Sequence, residues 1–498
     1  MIERNLPAII PLIFLASALL IPILGLWKKR ISFPLAIFAT LFSASLSVYG
    51  FIYVIINGTV RYNFGGWIPP IGIEYVYDPL SSFVVLVINF VTLVVLTHSY
   101  IPVTIDLEVK QTAYYSVVML LLLGFNGMII TGDLFNLYVF IEISSLAGYA
   151  LIAVGEKKAP FAAFRYLIIG TIGASFYLLG IGYLYFMSGT LNMSELAAIL
   201  PMIKESPTIL VALILIVVAL GVKMAIFPMH GWLPDSYTYA PTSTSSLIAP
   251  IGTKVGAYAM MRLLFFVFGA DYFSKELPVG DLIAIFACGG IIFGSVMAIA
   301  QKELKRMLAY SSIAQIGYIG LGIGLANPFG FIGAVLHLLN HSFMKATLFF
   351  IAGNLRNKTG NSDITLFDDS YRKKYPWTMA SFTVAALSMI GLPPLAGFFS
   401  KWYLVLGTIE NSKWLYLAVI LISSLLNAIY FFRIIEKVYM KSPARSKDPG
   451  TCDVEVKRDE VSTSMLIPTM ILAAGLIVIG LLNVVIVNQI YKMMPVGM

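Results

Sequence analysis

Residues 221–237 read GVKMAIFPMHGWLPDSY: an apolar run that carries a lysine and then breaks off its helical pattern. Lys223 lies among residues typical of a lipid-buried helix. Pro228, Gly231 and Pro234 follow it. Proline removes a helix donor and clashes with the preceding turn. Unwound backbone at membrane depth is tolerated only where protein or a water-filled cavity receives it. The same combination recurs in SMIGLPPLAGFFSKW, residues 388–402, where Gly391, Pro393, Pro394 and Gly397 precede Lys401.

Outward from these two stretches the chain stays apolar. Of its 498 residues 59% are hydrophobic and 12% are charged, whereas a soluble domain carries about 25% charged residues. A membrane helix needs about 20 apolar residues. Fourteen such runs begin near Leu6, Phe33, Leu80, Ala113, Leu134, Phe161, Thr208, Ser245, Val279, Leu304, Phe329, Trp377, Trp414 and Met465. A β-barrel would alternate over about ten residues instead. The first run reads as a membrane helix and not a removed signal peptide, because no small-residue cleavage site with a hydrophilic mature region follows it. The expected fold is an all-α polytopic membrane protein with about 14 transmembrane helices, broken in spans 7 and 12. Broken helices at corresponding positions mark inverted repeats. Two inverted five-helix repeats are therefore expected: spans four to eight in residues 112–270 and spans nine to thirteen in residues 271–440. Residues 1–111 hold spans one to three. Residues 441–498 hold a polar cytoplasmic linker and the last span.

Most lysines and arginines fall on alternate loops: Lys28, Lys29, Arg30; Lys110; Lys157, Lys158; Lys302, Lys305, Arg306; Arg356, Lys358, Arg372, Lys373, Lys374; and the run from Arg433 to Arg458. By the positive-inside rule that face is cytoplasmic. Both termini are then extracytoplasmic, in the cell membrane. The net charge of +8 is accounted for by this placement and does not point to nucleic acid. Cys288 and Cys452 have no plausible partner, so no disulfide, iron–sulfur or zinc site is indicated. No Gly-rich phosphate loop and no large soluble domain is visible. The chain is expected to bind no cofactor and to perform no redox chemistry by itself.

Seven ionisable side chains lie within apolar runs: Glu142, Lys223, Lys254, His337, His341, Lys345 and Lys401. A charge at the bilayer centre costs roughly 2.5–3.5 kcal/mol on insertion scales. Seven spread along one chain suggest a path for ions. Glu142 lies about two and a half helical turns past Asp133. Neutralisation by protonation would satisfy it; so would a lysine from a neighbouring helix, with Lys223 the natural partner. Lys254 follows the hydroxyl-rich run PTSTSSLIAPIGT. His337, His341 and Lys345 repeat at i, i+4 and i+8 and so share one helix face. Their spacing resembles a metal pair, but no carboxylate or cysteine follows at ligand distance; a line of titratable groups reads as a proton relay. Lys401 follows the second break and could instead snorkel to the headgroups. His230, at the first break, and Asp133, as helix cap or ion entry point, are accessory candidates. His98 reads as interfacial, Arg165 and Arg262 as structural.

The strings DLFNLYVFIE (133–142), GVKMAIFPMHGWLPDSYTYAPTSTSSLIA (221–249), ELKRMLAYSSIAQIGY (303–318), NHSFMKATLFFIAG (340–353) and GLPPLAGFFSKW (391–402) carry a family resemblance. The chain resembles the antiporter-like subunits of Mrp cation/proton antiporters, of respiratory complex I and of membrane-bound hydrogenases, in particular the Mrp D subunit or its counterpart in a hydrogenase-type complex. The resemblance implies a fourteen-helix fold with two inverted repeats, each with a half-channel. It implies a key Glu142–Lys223 ion pair, Lys254 as central connection, His337, His341 and Lys345 as continuing relay, and Lys401 as terminal titratable group. It implies work inside a hetero-oligomer of membrane subunits, moving protons and in some complexes sodium. Two charges 4 Å apart at an effective dielectric of about 20 interact by about 4 kcal/mol, about a thousandfold in proton affinity. A stand-alone carrier for an organic solute is the main alternative, and a membrane scaffold a third. The polar residues form a line and not a pocket, which disfavours the carrier, and a scaffold has no need of buried lysines.

Overall fold

The computed structural model describes residues 2–155, 157–440, 457–495 and 498. The first sixteen residues of the polar linker expected at 441–464, Cys452 among them, lie outside the described residues. Helices α1 (Ile2–Trp27) and α2 (Ser32–Asn57) lead into a short antiparallel hairpin, β1 (Val60–Asn63) with β2 (Glu74–Tyr77). Then follow α3 (Pro79–Asp106), α4 (Gln111–Ile130), α5 (Leu134–Ala153), α6 (Ala159–Ser188) and the short α7 (Met193–Ile203). The first broken span is α8 (Pro207–Met224) with α9 (Leu233–Tyr239). After it come α10 (Thr242–Leu263), α11 (Val279–Ala300), α12 (Leu304–Leu325), α13 (Pro328–Thr359) and the short α14 (Asp369–Lys374). The second broken span is α15 (Pro376–Ile390) with α16 (Ala396–Glu410); α17 (Trp414–Tyr439), α18 (Thr463–Leu481) and α19 (Asn483–Tyr491) complete the chain.

Among the described residues thirteen helices are long and apolar enough to cross a membrane. The twelfth apolar run is the pair α15 and α16, each of 15 residues and too short alone. All fourteen runs read from the sequence thus fall on helices. Helix starts follow ordinary chemistry. Asp78 accepts from the Ser81 backbone N–H at 2.8 Å and Ser81 Oγ accepts from the Asp78 N–H, a reciprocal cap ahead of Pro79. Asn327 caps α13 ahead of Pro328 by accepting from the Gly330 N–H at 2.8 Å.

Burial sorts the helices. Nearly all of α10, α12 and α13 is buried, whereas only about a third of α6 and of α17 is. The exposed faces are apolar, with Phe161, Phe164 and Phe186 on α6 and Leu421 and Leu425 on α17. An apolar outer surface around a buried centre is what a lipid solvent selects. Of these three central helices α10 carries Lys254 and α13 carries His337, His341 and Lys345.

Both breaks appear where the prolines lie. At the first, α8 ends on Met224, Ala225 adopts φ +60°, and Trp232 Nε1 donates to the Val222 carbonyl at 3.0 Å. At the second, Gly391 takes φ +94°, a conformation that favours glycine. Gly397 lies so close to the Ser388 carbonyl that a Cβ would overlap it. The two halves can turn past each other only because neither glycine carries a side chain.

Candidate functional site

Lys223 occupies the last turn of α8 and points across to α5. Its Nζ donates to Ser145 Oγ at 2.7 Å and Ser144 Oγ at 3.0 Å, and approaches the Ile141 carbonyl at 3.5 Å. Glu142 stands on the same helix and interacts with Lys223 electrostatically. Among the described residues, however, the expected direct ion pair is not closed. The physical reason is burial: Ser144 and Ser145 are buried, whereas Glu142 is half-buried. The ammonium takes the hydroxyls it meets inside the protein.

Lys254 is completely buried in α10 and donates to the Ala249 carbonyl at 2.6 Å. His337, His341 and Lys345 line one face of α13, as their spacing requires, and none is exposed. The two imidazole rings lie 5.7 Å apart. Lys345 Nζ donates to Ser311 Oγ at 2.5 Å and to the Leu308 carbonyl at 2.8 Å, both on α12. His337 Nδ1 lies 2.9 Å from Ser400 Oγ on α16. Lys401, the next residue, is 6% exposed and does not snorkel. Its Nζ donates to the Met389 and Ile390 carbonyls at 3.1 and 2.9 Å and lies 4.9 Å from the centre of the Tyr318 ring. It therefore satisfies carbonyls that the second break leaves without helical donors.

The charges of Lys254 and Lys345 act on His341, and those of Lys254 and Lys401 act on His337. Lys254, Lys345, His341, His337 and Lys401 thus form one electrostatically connected set from α10 to α16. Polar atoms along it lack protein partners: both ring nitrogens of His341, Nε2 of His337, Oδ1 of Asn340 and both amide atoms of Gln315.

Six participants carried signals that sequence reading passed over. Ser311, Gln315 and Tyr318 share one face of α12 at i, i+4 and i+7, opposite the Lys345–His337 face of α13. Ser144 and Ser145 stand in the same apolar run as Glu142, and Ser400 immediately precedes Lys401.

The accessory candidates separate. Asp133 is the cap of α5, accepting from the Asn136 N–H at 2.7 Å. Burial raises its carboxyl above the ordinary value, against the N–H groups of Asn136 and Phe135. His230 lies half-buried between the Phe227 and Phe293 rings at the first break, outside the connected set. His98 is not interfacial: it is buried, stacked on Phe350 at 4.0 Å, with Nε2 2.8 Å from Asn354 Oδ1. Arg165 pairs with Asp235 and Arg262 with Asp78.

Comparison with known proteins fits this arrangement. The family described as "NADH:quinone oxidoreductase/Mrp antiporter, TM" matches residues 131–427, the span that holds every connected group. The N subunit of the NADH-quinone oxidoreductase of Desulforudis audaxviator is 48% identical over 87% of this chain and 86% of its own. The D subunit of the Na(+)/H(+) antiporter of Alkalihalophilus pseudofirmus is 31% identical over 95% of this chain and 93% of its own. A chain of the membrane-bound sulfane sulfur reductase, an archaeal respiratory membrane complex, superposes with a TM-score of 0.89 at 31% identity, covering 98% of this chain and 97% of that one. A multi-pass helical chain with this buried lysine and histidine line, matched over more than half its length by one family and nearly throughout by such relatives, belongs to the NADH:quinone oxidoreductase/Mrp antiporter transmembrane family.

Proposed function

We propose that this chain is the proton-translocating, antiporter-like subunit of a multisubunit membrane complex. The observation that carries the reading is the connected set of buried lysines and histidines running from α10 to α16. Isolated buried cations could be packing accidents; a set linked through space is built to pass charge. Relatives named as subunits of larger assemblies support other membrane subunits as partners, with energy supplied by an ion gradient or by those partners.

The mechanism follows from what each group can do. Lysine releases its proton more readily when buried, and histidine titrates near neutral pH. Lys254 sits centrally, His341 and His337 continue the line, Lys345 flanks it against α12, and Lys401 ends it at the second break. Between these groups the unpartnered atoms of Gln315, Asn340 and the histidines demand hydrogen-bonding partners. Water is the small molecule that meets that demand and carries protons from site to site. Glu142 and Lys223 form the switch at the other end. With Lys223 on Ser144 and Ser145 the pair is open. Movement of the ammonium onto Glu142 would remove one positive charge from the field felt by the rest of the line, and so change where a proton is held.

Spans four to eight (112–270) and nine to thirteen (271–440) act as two inverted repeats, each with one broken helix and one half-channel, flanked by residues 1–111 and 441–498. The lysine-rich loops face the cytoplasm of the cell membrane and both termini face outward. The test is proton-coupled transport by the purified assembly in liposomes, wild type beside Glu142→Ala and Lys223→Ala, with assembly checked by co-purification. Loss of transport in assembled variants supports the reading. Unchanged transport moves the pathway to another subunit.

A further inference from the structure

Lys305 stands outside the connected set, yet it too is buried, more so than Lys401. Its place in a lysine-rich loop of the sequence suggests a solvated side chain. The structure makes it the second residue of α12 and leaves it 3% exposed. Its Nζ donates to the Ala240 carbonyl at 2.5 Å, and among the described residues it forms no ion pair. The following residue, Arg306, pairs with Asp235 of α9 at 3.3 Å. The start of α12 is therefore fixed against the short half of the first broken span.

Ala240 is also part of the wall of a cavity of about 450 Å³. Asp106, Lys157, Thr242, Glu303 and Arg356 line the same cavity, so it opens on the face of the lysine-rich loops. Lys305 thus reaches the wall of a polar vestibule from the protein side. The charged groups that act on it are Arg356, of like sign, and Glu303 and Asp106, of opposite sign.

A polar series continues inward from the same carbonyl. Ser245 Oγ lies 3.4 Å from the Ala240 carbonyl and 2.8 Å from the Tyr237 carbonyl. The Ser246 hydroxyl is buried without a partner. Pro250 has no N–H, so the Ser246 carbonyl loses its usual helical donor. One turn beyond Ser245 is the Ala249 carbonyl, which Lys254 Nζ reaches back to meet at 2.6 Å. Between the vestibule wall and Lys254 thus lie the hydroxyls of Ser245 and Ser246 and the carbonyls of Ala240 and Ala249.

We propose that Lys305 is the port of the relay, exchanging protons between water in this vestibule and the Ser245–Lys254 segment of α10. The inference rests on Lys254 being a relay group. In each exchange one N–H bond of the Lys305 ammonium breaks and its proton passes to a hydroxyl or water oxygen of the inner series, which releases its own O–H proton to the next such oxygen in the same step, until the last proton forms an N–H bond on the Lys254 amine. The amine left behind then takes one proton from vestibule water. In the opposite direction the same bonds form and break in reverse. A lysine serving only to tie α12 to Ala240 would need its hydrogen bond and its charge but never its release of a proton.

Arginine and histidine separate the two roles. Arginine keeps the charge and the donors but does not give up its proton, whereas histidine titrates. Lys305→Arg and Lys305→His are compared in the purified assembly in liposomes, with Lys223→Ala alongside and assembly confirmed for each. The expected result is that Lys305→Arg loses proton-coupled transport at least about tenfold while Lys305→His retains more, with its pH profile displaced from wild type. Transport by Lys305→Arg equal to or above that of Lys305→His overturns the port. Unchanged transport in Lys223→Ala would instead remove the underlying relay reading, so the two failures are distinguishable.

Discussion

Lys223 is bound to Ser145, at 2.7 Å, and not to Glu142 one turn earlier on the same helix. Two serine hydroxyls therefore hold the ammonium in the position where its carboxylate partner is unpaired with it. Hydrogen bonds to charged groups contribute about 1.5–3 kcal/mol each. Removing both in Ser144→Ala/Ser145→Ala should transfer Lys223 to Glu142 and fix the pair closed. Each 1.4 kcal/mol is a tenfold change in such an equilibrium. Proton-coupled transport in liposomes should fall at least about tenfold in the double variant and less in either single one. A double variant that transports at the wild-type rate would show that the serines do not set the switch.

Lys254→Met tests the central position from the side of stability. A buried charge is unfavourable unless paired, and Lys254 has a carbonyl partner in Ala249. Methionine is similar in length and carries no charge. The variant should unfold at the same temperature as wild type or higher, while transport falls by at least about tenfold. Sites that are costly to the fold and needed for activity show this opposition. A variant with lower thermal stability and intact transport would mark Lys254 as a structural tie.

The helices, the two breaks and the buried cations were legible because each is a local property of the sequence. A run of about twenty apolar residues, a proline within it and a lysine beside the proline need no tertiary information. The i, i+4, i+8 spacing of His337, His341 and Lys345 fixed their shared face for the same reason. What escaped depends on neighbours distant in sequence. The sequence pairs Lys223 with Glu142 by charge; packing gives it Ser144 and Ser145, which are buried. Lys305 reads as a loop cation, yet the end of α9 covers it. Lys401 is long enough to snorkel, but the carbonyls freed by the second break retain it. Asp133 reads equally as cap or entry point because a cap is decided by backbone direction, which its sequence neighbours do not specify.

Gln315 is fully buried and neither of its amide atoms has a protein partner. On α12 it lies between Ser311, which holds Lys345, and Tyr318, which faces His337 and Lys401. An unsatisfied buried polar group costs about 1–3 kcal/mol, so the fold alone gives no reason for a glutamine there. Gln315→Leu should leave thermal stability unchanged or raise it, and slow proton-coupled transport at least several-fold. Intact transport in Gln315→Leu would exclude its amide from the path.

Asp78 and Arg262 form an ion pair at 2.5 Å, with side chains 15% and 11% exposed, joining the start of α3 to the end of α10. Burial opposes the Asp78 carboxylate, but the Arg262 guanidinium and the Ser81 N–H outweigh it and hold the carboxyl below its ordinary value. Removing one partner of a buried pair costs about 3–5 kcal/mol, because the other charge is left uncompensated. Asp78→Ala should therefore lower thermal stability of the assembly in detergent by that amount. Asp78→Ala/Arg262→Ala should lose less than the sum of the two single variants, since the orphaned charge is gone. The pH dependence has a definite sign. A depressed carboxyl contributes stability above its unfolded value, near 3.8, and loses it as pH falls through the lower folded value. The gap in stability between wild type and Asp78→Ala should be constant at neutral pH and narrow below about pH 4. A gap that stays the same on acidification would mean that packing of the aspartate, and not its charge, holds α3 to α10.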